Sequence, residues 1–234
     1  MFEKGTLTVA TDRPAYPPWF KGRPKSYSGF EGEIAREIAD RLGLPIKWVV
    51  EPFARSFAPG EKDYDFDINQ VTITSEREQE VDFSDPYFEN NQGVLVLEGS
   101  RFAEASSVTE LSRAVLGAQK RSTALRFITA VIKPRPKVQQ FNTTDDAKTA
   151  LKQGEIDALV TDVVTAVYLR DFEISGSLVV GQYPEPEYFG MVFEEGNALV
   201  PCVNRVLQEM KDDGTLVRLE EKFLESYLSV PPLD

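Results

Sequence analysis

Short runs of apolar and β-branched residues alternate along the chain with stretches whose apolar residues recur three or four apart. Thr6–Thr11 (TLTVAT) predicts a strand and Glu31–Leu42 (EGEIAREIADRL) a helix. In that helix Ile34, Ile38 and Leu42 repeat every fourth residue, Ala35 and Ala39 widen the stripe, and Gly43 stands at a C-cap position. Ile46–Val50 reads as a short buried strand. Asp67–Ile73 reads as another, leading into a helix capped by Thr74 or by Ser75, which has capping-box spacing to Glu78. Gly93–Leu97 is the next strand.

The pattern then restarts. Val115–Gln119, Val138–Phe141, Ile156–Thr161, Leu178–Val180 and Tyr188–Phe193 predict strands. Ser122–Ile132, Thr144–Gln153 (closed by Gly154) and Val163–Asp171 predict helices between them. Leu199–Asp212, with Pro201 in its first turn, and Thr215–Tyr227, after Gly214, predict two closing helices. The tail, residues 231–234, is expected to fray. Alternating strands and helices point to parallel α/β architecture, and two such cycles meeting near residue 97 point to two lobes of similar design. No period of 20–50 residues marks a solenoid.

Composition narrows the chemistry. The chain of 234 residues is 41% hydrophobic and 27% charged, which suits a folded globular protein large enough for one or two cores. Its formal charge of −12, from 38 acidic and 26 basic residues, opposes nucleic-acid and anionic membrane-surface partners but not an anion held in a local site. Histidine is absent, which removes Ser-His-Asp triads, Cys-His dyads and HExxH zinc sites. One cysteine, Cys202, allows neither an intrachain disulfide nor a CxxC site, and is read as a buried structural thiol. No apolar run is long enough to span a bilayer. With no signal-peptide pattern at Met1-Phe2-Glu3-Lys4-Gly5, the sequence reads as a cytosolic protein or as a mature form without its leader.

Several segments stand out in order: TDRPAYPPWF, GFEGEIAREIADRLGL, TITSEREQEVDFSDPY (Thr72–Tyr87), QKRST (Gln119–Thr123), GEIDALVTD (Gly154–Asp162), YFGMVFEEGN (Tyr188–Asn197) and VLQEMKDDGTLVRLEEKF (Val206–Phe223). Over residues 5–226 this series resembles the family-3 extracellular solute-binding proteins, the amino-acid receptors of ABC importers. The resemblance implies the periplasmic-binding-protein type II fold, two α/β lobes joined by two hinge strands that close on ligand. It places lobe 1 at residues 1–96 plus 192–234 and lobe 2 at 97–191. It also implies a periplasmic or extracellular, possibly surface-anchored location.

An α-amino acid presents a carboxylate and an ammonium at fixed separation, so its receptor needs a planar cation, an acid and spare donors. Arg77, in the first turn after Thr74 or Ser75, can grip a carboxylate bidentately; the alternative is a surface arginine paired with Glu78 or Glu80. Thr72 ends a strand beside it. By the resemblance, Thr123 donates its backbone N–H to the carboxylate from the second lobe, and Asp162 pairs with the ammonium; an ordinary N-cap is the alternative for Asp162. The family usually carries glycine before the Ser/Thr pair, where this chain has Lys120-Arg121. Asn69 and Gln70 replace the small residues of relatives. Tyr16, Trp19 and Phe53 are expected as aromatic wall. Asp12 and Glu31 match positions that face a distal cation in relatives accepting lysine or arginine, with solvated charge the alternative for Glu31 and Arg55 a possible counter-charge.

The expected function is binding of a free amino acid, basic or polar side chain preferred, in the interlobe cleft, with delivery to the membrane subunits of an ABC importer. No catalytic residue, metal or cofactor is expected, and the protein is expected to be a monomer. Two alternatives stand beside this one: a cyclohexadienyl-dehydratase-like enzyme acting on small cyclic carboxylates, and the ligand-binding domain of a receptor.

Overall fold

A computed structural model describes residues 1–24 and 26–234. The strands are β1 Leu7–Thr11, β2 Ile46–Val50, β3 Phe66–Asp67, β4 Asp82–Phe83, β5 Phe88–Leu97, β6 Leu116–Gln119, β7 Gln139–Phe141, β8 Ala158–Asp162, β9 Ser177–Phe189 and β10 Val192–Phe193. Helices are α1 Phe30–Arg41, α2 Phe53–Ser56, α3 Val108–Leu111, α4 Thr123–Phe127, α5 Thr144–Gln153, α6 Val163–Tyr168, α7 Val200–Asp212 and α8 Thr215–Phe223. Among the described residues they divide into two compact units, Met1–Glu89 with Glu187–Glu225, and Asn90–Pro186 with Ser226–Asp234.

The first unit carries a five-stranded sheet in the order β2-β1-β3-β10-β4. β1 lies parallel to β2 and β3, with Ala10 opposite Asp67, whereas β10 runs antiparallel to β3 and β4. The sheet is therefore mixed, not wholly parallel. α1 buries Ile34, Ala35, Ile38 and Ala39, and Gly43 at φ 68° turns the chain away after it. β2 is half-buried rather than buried, with Val50 exposed. The strand expected over Asp67–Ile73 shortens to β3, because the chain leaves the sheet at Ile68 and Gln70 turns into the left-handed region at φ 50°. In α7, Pro201 sits in the first turn and Cys202 is only partly buried, since Val203, Val206, Leu207 and Met210 take the buried stripe.

The second unit is built on the order β7-β6-β8-β5-β9. β6 is parallel to β7 and β8, and β5 is antiparallel to β8. α5 begins with a reciprocal capping box between Thr143 and Asp146 and ends at Gly154 in the left-handed region. The helix expected over Ser122–Ile132 is α4, capped by Ser122, followed by a π-helical stretch at Ile128–Ile132. α6 passes likewise into a π-helical stretch at Leu169–Glu173.

The unit boundaries fall inside β5 and near the end of β9, at 89/90 and 186/187, not at 96 and 192. The tail does not fray. Leu233 is 1% exposed, with its side chain against Gly181. Backbone bonds tie Gln182 to Pro231 and Leu233, and Asp234 to Ser106. That apolar anchor assigns 226–234 to the second unit.

Candidate functional site

In the first unit, Arg77 opens a 3-10 turn, Arg77–Gln79, in place of the expected α-helical first turn. The Thr74 hydroxyl accepts from the Arg77 N–H at 3.3 Å. Arg77 is 8% exposed, so it is not a surface arginine. Its guanidinium lies 4.0 Å from the Phe57 ring centroid and 5.8 Å from that of Phe53, while Nη1 donates to the Thr72 carbonyl at 2.7 Å. Stacking uses the face of the guanidinium and hydrogen bonding its edge, so the ring fixes the plane in which the N–H groups point. Thr72 is buried, bridged to Phe189, and its hydroxyl donates to Glu187 Oε2 at 2.9 Å.

Glu31 departs from both expectations for it. It is fully buried, neither a solvated charge nor an open pocket wall. Its carboxylate accepts from the Gln70 N–H at 2.8 Å, from the Gln70 side-chain amide and from the Tyr87 hydroxyl. Burial, together with the Glu31 carboxylate beside it, pushes the Tyr87 hydroxyl's pKa upward. Trp19 likewise belongs to the core, fully buried against Phe88 at 5.2 Å, Phe189 at 5.7 Å and Phe30 at 6.0 Å between ring centroids. A large ring fills that volume. Tyr16 and Phe53 are half-buried.

Asp12 is half-buried, accepting from the Arg13 N–H at 2.5 Å and from the Phe53 N–H at the start of α2. Burial nevertheless dominates and raises its pKa. Arg55 offers it little, since its guanidinium is exposed and pairs with Glu51 at 3.1 Å. Asn69 is buried, and its Nδ2 has no hydrogen-bond partner among the described residues.

Asp67 went unnoticed in the sequence. It is fully buried on β3, and neither carboxylate oxygen accepts a hydrogen bond among the described residues. Burial, then the charges of Glu31, Asp12 and Glu51, hold its pKa well above the usual carboxylate range. The nearby Ser56 hydroxyl opposes this only weakly, its proton going to the Phe53 carbonyl at 2.8 Å.

In the second unit, Asp162 caps α6, with Oδ1 accepting from the Thr165 N–H at 2.7 Å. The N-cap role is thus real, and Oδ2 accepts from the Thr161 hydroxyl at 3.3 Å. Thr123 is the first residue of α4. Gln92, which no motif singled out, joins the two: it lies opposite Asp162 in the β5–β8 ladder, and its Nε2 donates to Thr123 Oγ1 at 3.2 Å. Arg121 takes a left-handed φ of 63° just before the Ser122 cap, the conformation a glycine would adopt without strain. The described residues hold no group of three or more acidic or cysteine side chains suited to a metal ion.

The sequence model of the bacterial extracellular solute-binding proteins, family 3, matches residues 7–226. The chain belongs to this family. The glutamine-binding protein of a Bacillus subtilis ABC transporter is 34% identical over 202 residues, 84% of this chain and 72% of its own length. The L-cystine-binding protein of Escherichia coli K12 is 32% identical over 233 residues, covering 94% and 83%. Among solved structures, an ancestral arginine-binding protein bound to glutamine superposes with a TM-score of 0.84 at 33% identity, over 95% of this chain and 99% of that one. An ancestral amino-acid-binding protein described as a precursor of cyclohexadienyl dehydratase gives 0.83 at 30%, over 95% and 96%. This family-3 protein thus has the type II periplasmic-binding-protein fold. The family is extracellular, and no described helix is long and apolar enough to cross a membrane.

Proposed function

We propose that this family-3 protein binds a free amino acid, with a basic or polar side chain preferred, outside the cytoplasmic membrane and as a monomer, and hands it to the membrane subunits of an ABC importer. The observation that carries this reading is the Arg77 guanidinium, buried, stacked on Phe57 and bonded to the Thr72 carbonyl. A buried planar cation held by its face suits a carboxylate gripped from the edge. Arg77 and Thr72 would take the α-carboxylate, joined by the Thr123 N–H; Asp162 would take the ammonium. Asn69, Gln70, Tyr16, Phe53 and Asp12 would surround the side chain. Glu31 and Trp19 would act from behind, fixing Gln70 and the aromatic core. Because these groups belong to two units, a ligand using all of them favours whichever arrangement offers both sets, a population shift.

A thermal-shift screen over the twenty amino acids tests the proposal, since a ligand at a hundredfold its Kd adds about 2.7 kcal/mol of stability. Arg77→Ala is expected to remove every positive shift; shifts that survive it refute the site. The ancestral dehydratase precursor favours a second reading, a cleft enzyme acting on cyclic carboxylates, for which the half-buried Asp12 would be the protonated acid. Prephenate or arogenate turned over by the purified protein would establish that reading; we expect no product.

A further inference from the structure

Thr72 has a single hydroxyl proton, and in this structure Glu187 receives it, at 2.9 Å. Backbone pairing sets the arrangement. Thr72 is bridged to Phe189, the Ile73 N–H donates to the Tyr188 carbonyl at 2.8 Å, and the Gly190 N–H donates to the Val71 carbonyl at 3.0 Å. Glu187, two residues before the bridge, is thereby carried to the Thr72 side chain. The Thr72 carbonyl on the same residue accepts from the Arg77 guanidinium at 2.7 Å. A carboxylate of the protein therefore already lies on a donor assigned above to the ligand's carboxylate.

We infer that Glu187 is a built-in competitor: its carboxylate occupies the Thr72 hydroxyl, and an amino-acid ligand must displace it to bind fully. The inference rests on the amino-acid site proposed above. A hydroxyl donates one hydrogen at a time, so the bond gained by the ligand at Thr72 is offset by the bond lost from Glu187. Two carboxylates at one donor also repel, which works against retaining both. The consequence is a moderated affinity and faster release, because a returning Glu187 re-engages Thr72 as the ligand leaves. Release speed matters for a protein that must surrender its cargo, and affinity differences of this kind reside mainly in the dissociation rate. The sequence offers only a weak signal, the acidic run Pro184-Glu185-Pro186-Glu187 ahead of Tyr188.

Isothermal titration and stopped-flow dissociation with L-glutamine and L-arginine, on wild type, Glu187→Gln, Glu187→Ala and Arg77→Ala, test the inference. Glu187→Gln keeps the side-chain shape and can donate to the Thr72 oxygen, leaving the hydroxyl proton for the ligand. It is expected to bind roughly tenfold more tightly than wild type, through slower dissociation. Glu187→Ala is expected to shift affinity in the same direction, and both variants to melt close to wild type without ligand. In a Thr72→Val background the Glu187→Gln effect is expected to shrink below about twofold. Equal or weaker binding by both Glu187 variants, with wild type binding and Arg77→Ala not, overturns the competitor and leaves the amino-acid site standing. Failure of wild type and both variants to bind any of the twenty amino acids overturns both.

Discussion

Asp67 offers the sharpest test of the electrostatics in the first unit. Its carboxyl group is fully buried, accepts no hydrogen bond among the described residues, and lies near Glu31, Asp12 and Glu51. An unpaired buried charge costs more than retaining the proton, so the folded protein holds that proton at a pH where the unfolded chain has released it. The sign follows from linkage. A carboxyl whose folded pKa exceeds its unfolded value of 3.8 binds more protons in the native state over the intervening window. Its contribution to stability is complete below that value and is lost as pH rises through the folded pKa. The slope is about 1.4 kcal/mol for each pH unit over which only the unfolded chain is ionised.

Asp67→Asn removes the titration while keeping the shape. The difference in stability, variant minus wild type, is expected to level off below about pH 3 and to climb in the variant's favour as pH rises from about 4. Urea unfolding at half-unit pH steps measures it. The chain has two tryptophans, Trp19 and Trp48, both in the first unit, so fluorescence follows the unit that holds Asp67. A difference curve flat between pH 4 and 7 refutes the reasoning, because it means that the buried carboxyl ionises as readily as in water.

Other consequences are simpler to check. Leu233→Ala is expected to destabilise the second unit by about 2–4 kcal/mol in urea unfolding followed by circular dichroism, since it empties a buried site against Gly181. Thr143→Ala is expected to cost about 1 kcal/mol by the same measurement, through loss of the α5 capping box. Gln92→Ala, which releases Thr123, is expected to weaken amino-acid binding several-fold in calorimetry without lowering the melting temperature of the first unit. Asp12→Asn is expected to weaken L-arginine by at least about tenfold while leaving L-glutamine within about threefold. In wild type, L-arginine binding relative to L-glutamine should weaken as pH drops, and earlier than for an ordinary aspartate, because burial raises the Asp12 pKa.

Elements whose signals are local were legible in the sequence. α5 runs over the predicted residues because its cap, its closing glycine and its apolar spacing all lie within a dozen positions. α1 shifts by a single residue for the same reason. β5 and β9 exceed their predicted lengths because their polar ends, Asn90 to Gln92 and Gln182 to Glu187, are held by pairing with distant strands or the C-terminal tail and not by apolar pattern. The tail was misread on the same ground: its anchors, Gly181 and Ser106, lie far away in sequence. Arg77, Thr72, Thr123 and Asp162 are candidates that motifs single out. Gln92 and Asp67, whose significance comes from one ladder position and from complete burial, carried no motif.

Glu31 and Gln70 show how a site can be legible in its residues and illegible in their use. Each stood out separately, an acid at a position that faces cations in relatives and a bulky amide where relatives are small. The structure makes them answers to each other. A carboxylate buried in the first turn of α1 needs donors, and Gln70 supplies two, one from its backbone and one from its side chain, with Tyr87 the third. The left-handed φ of 50° at Gln70, unfavourable for a residue with a Cβ, is compensated by those charge-assisted bonds. A small residue there would lack the side-chain donor and leave Glu31 less fully satisfied in the core, which is costly. Choosing glutamine at this position therefore commits Glu31 to the interior, which is why the site proposed above looks to Asp12 and Asn69, not to Glu31, for a ligand's far end.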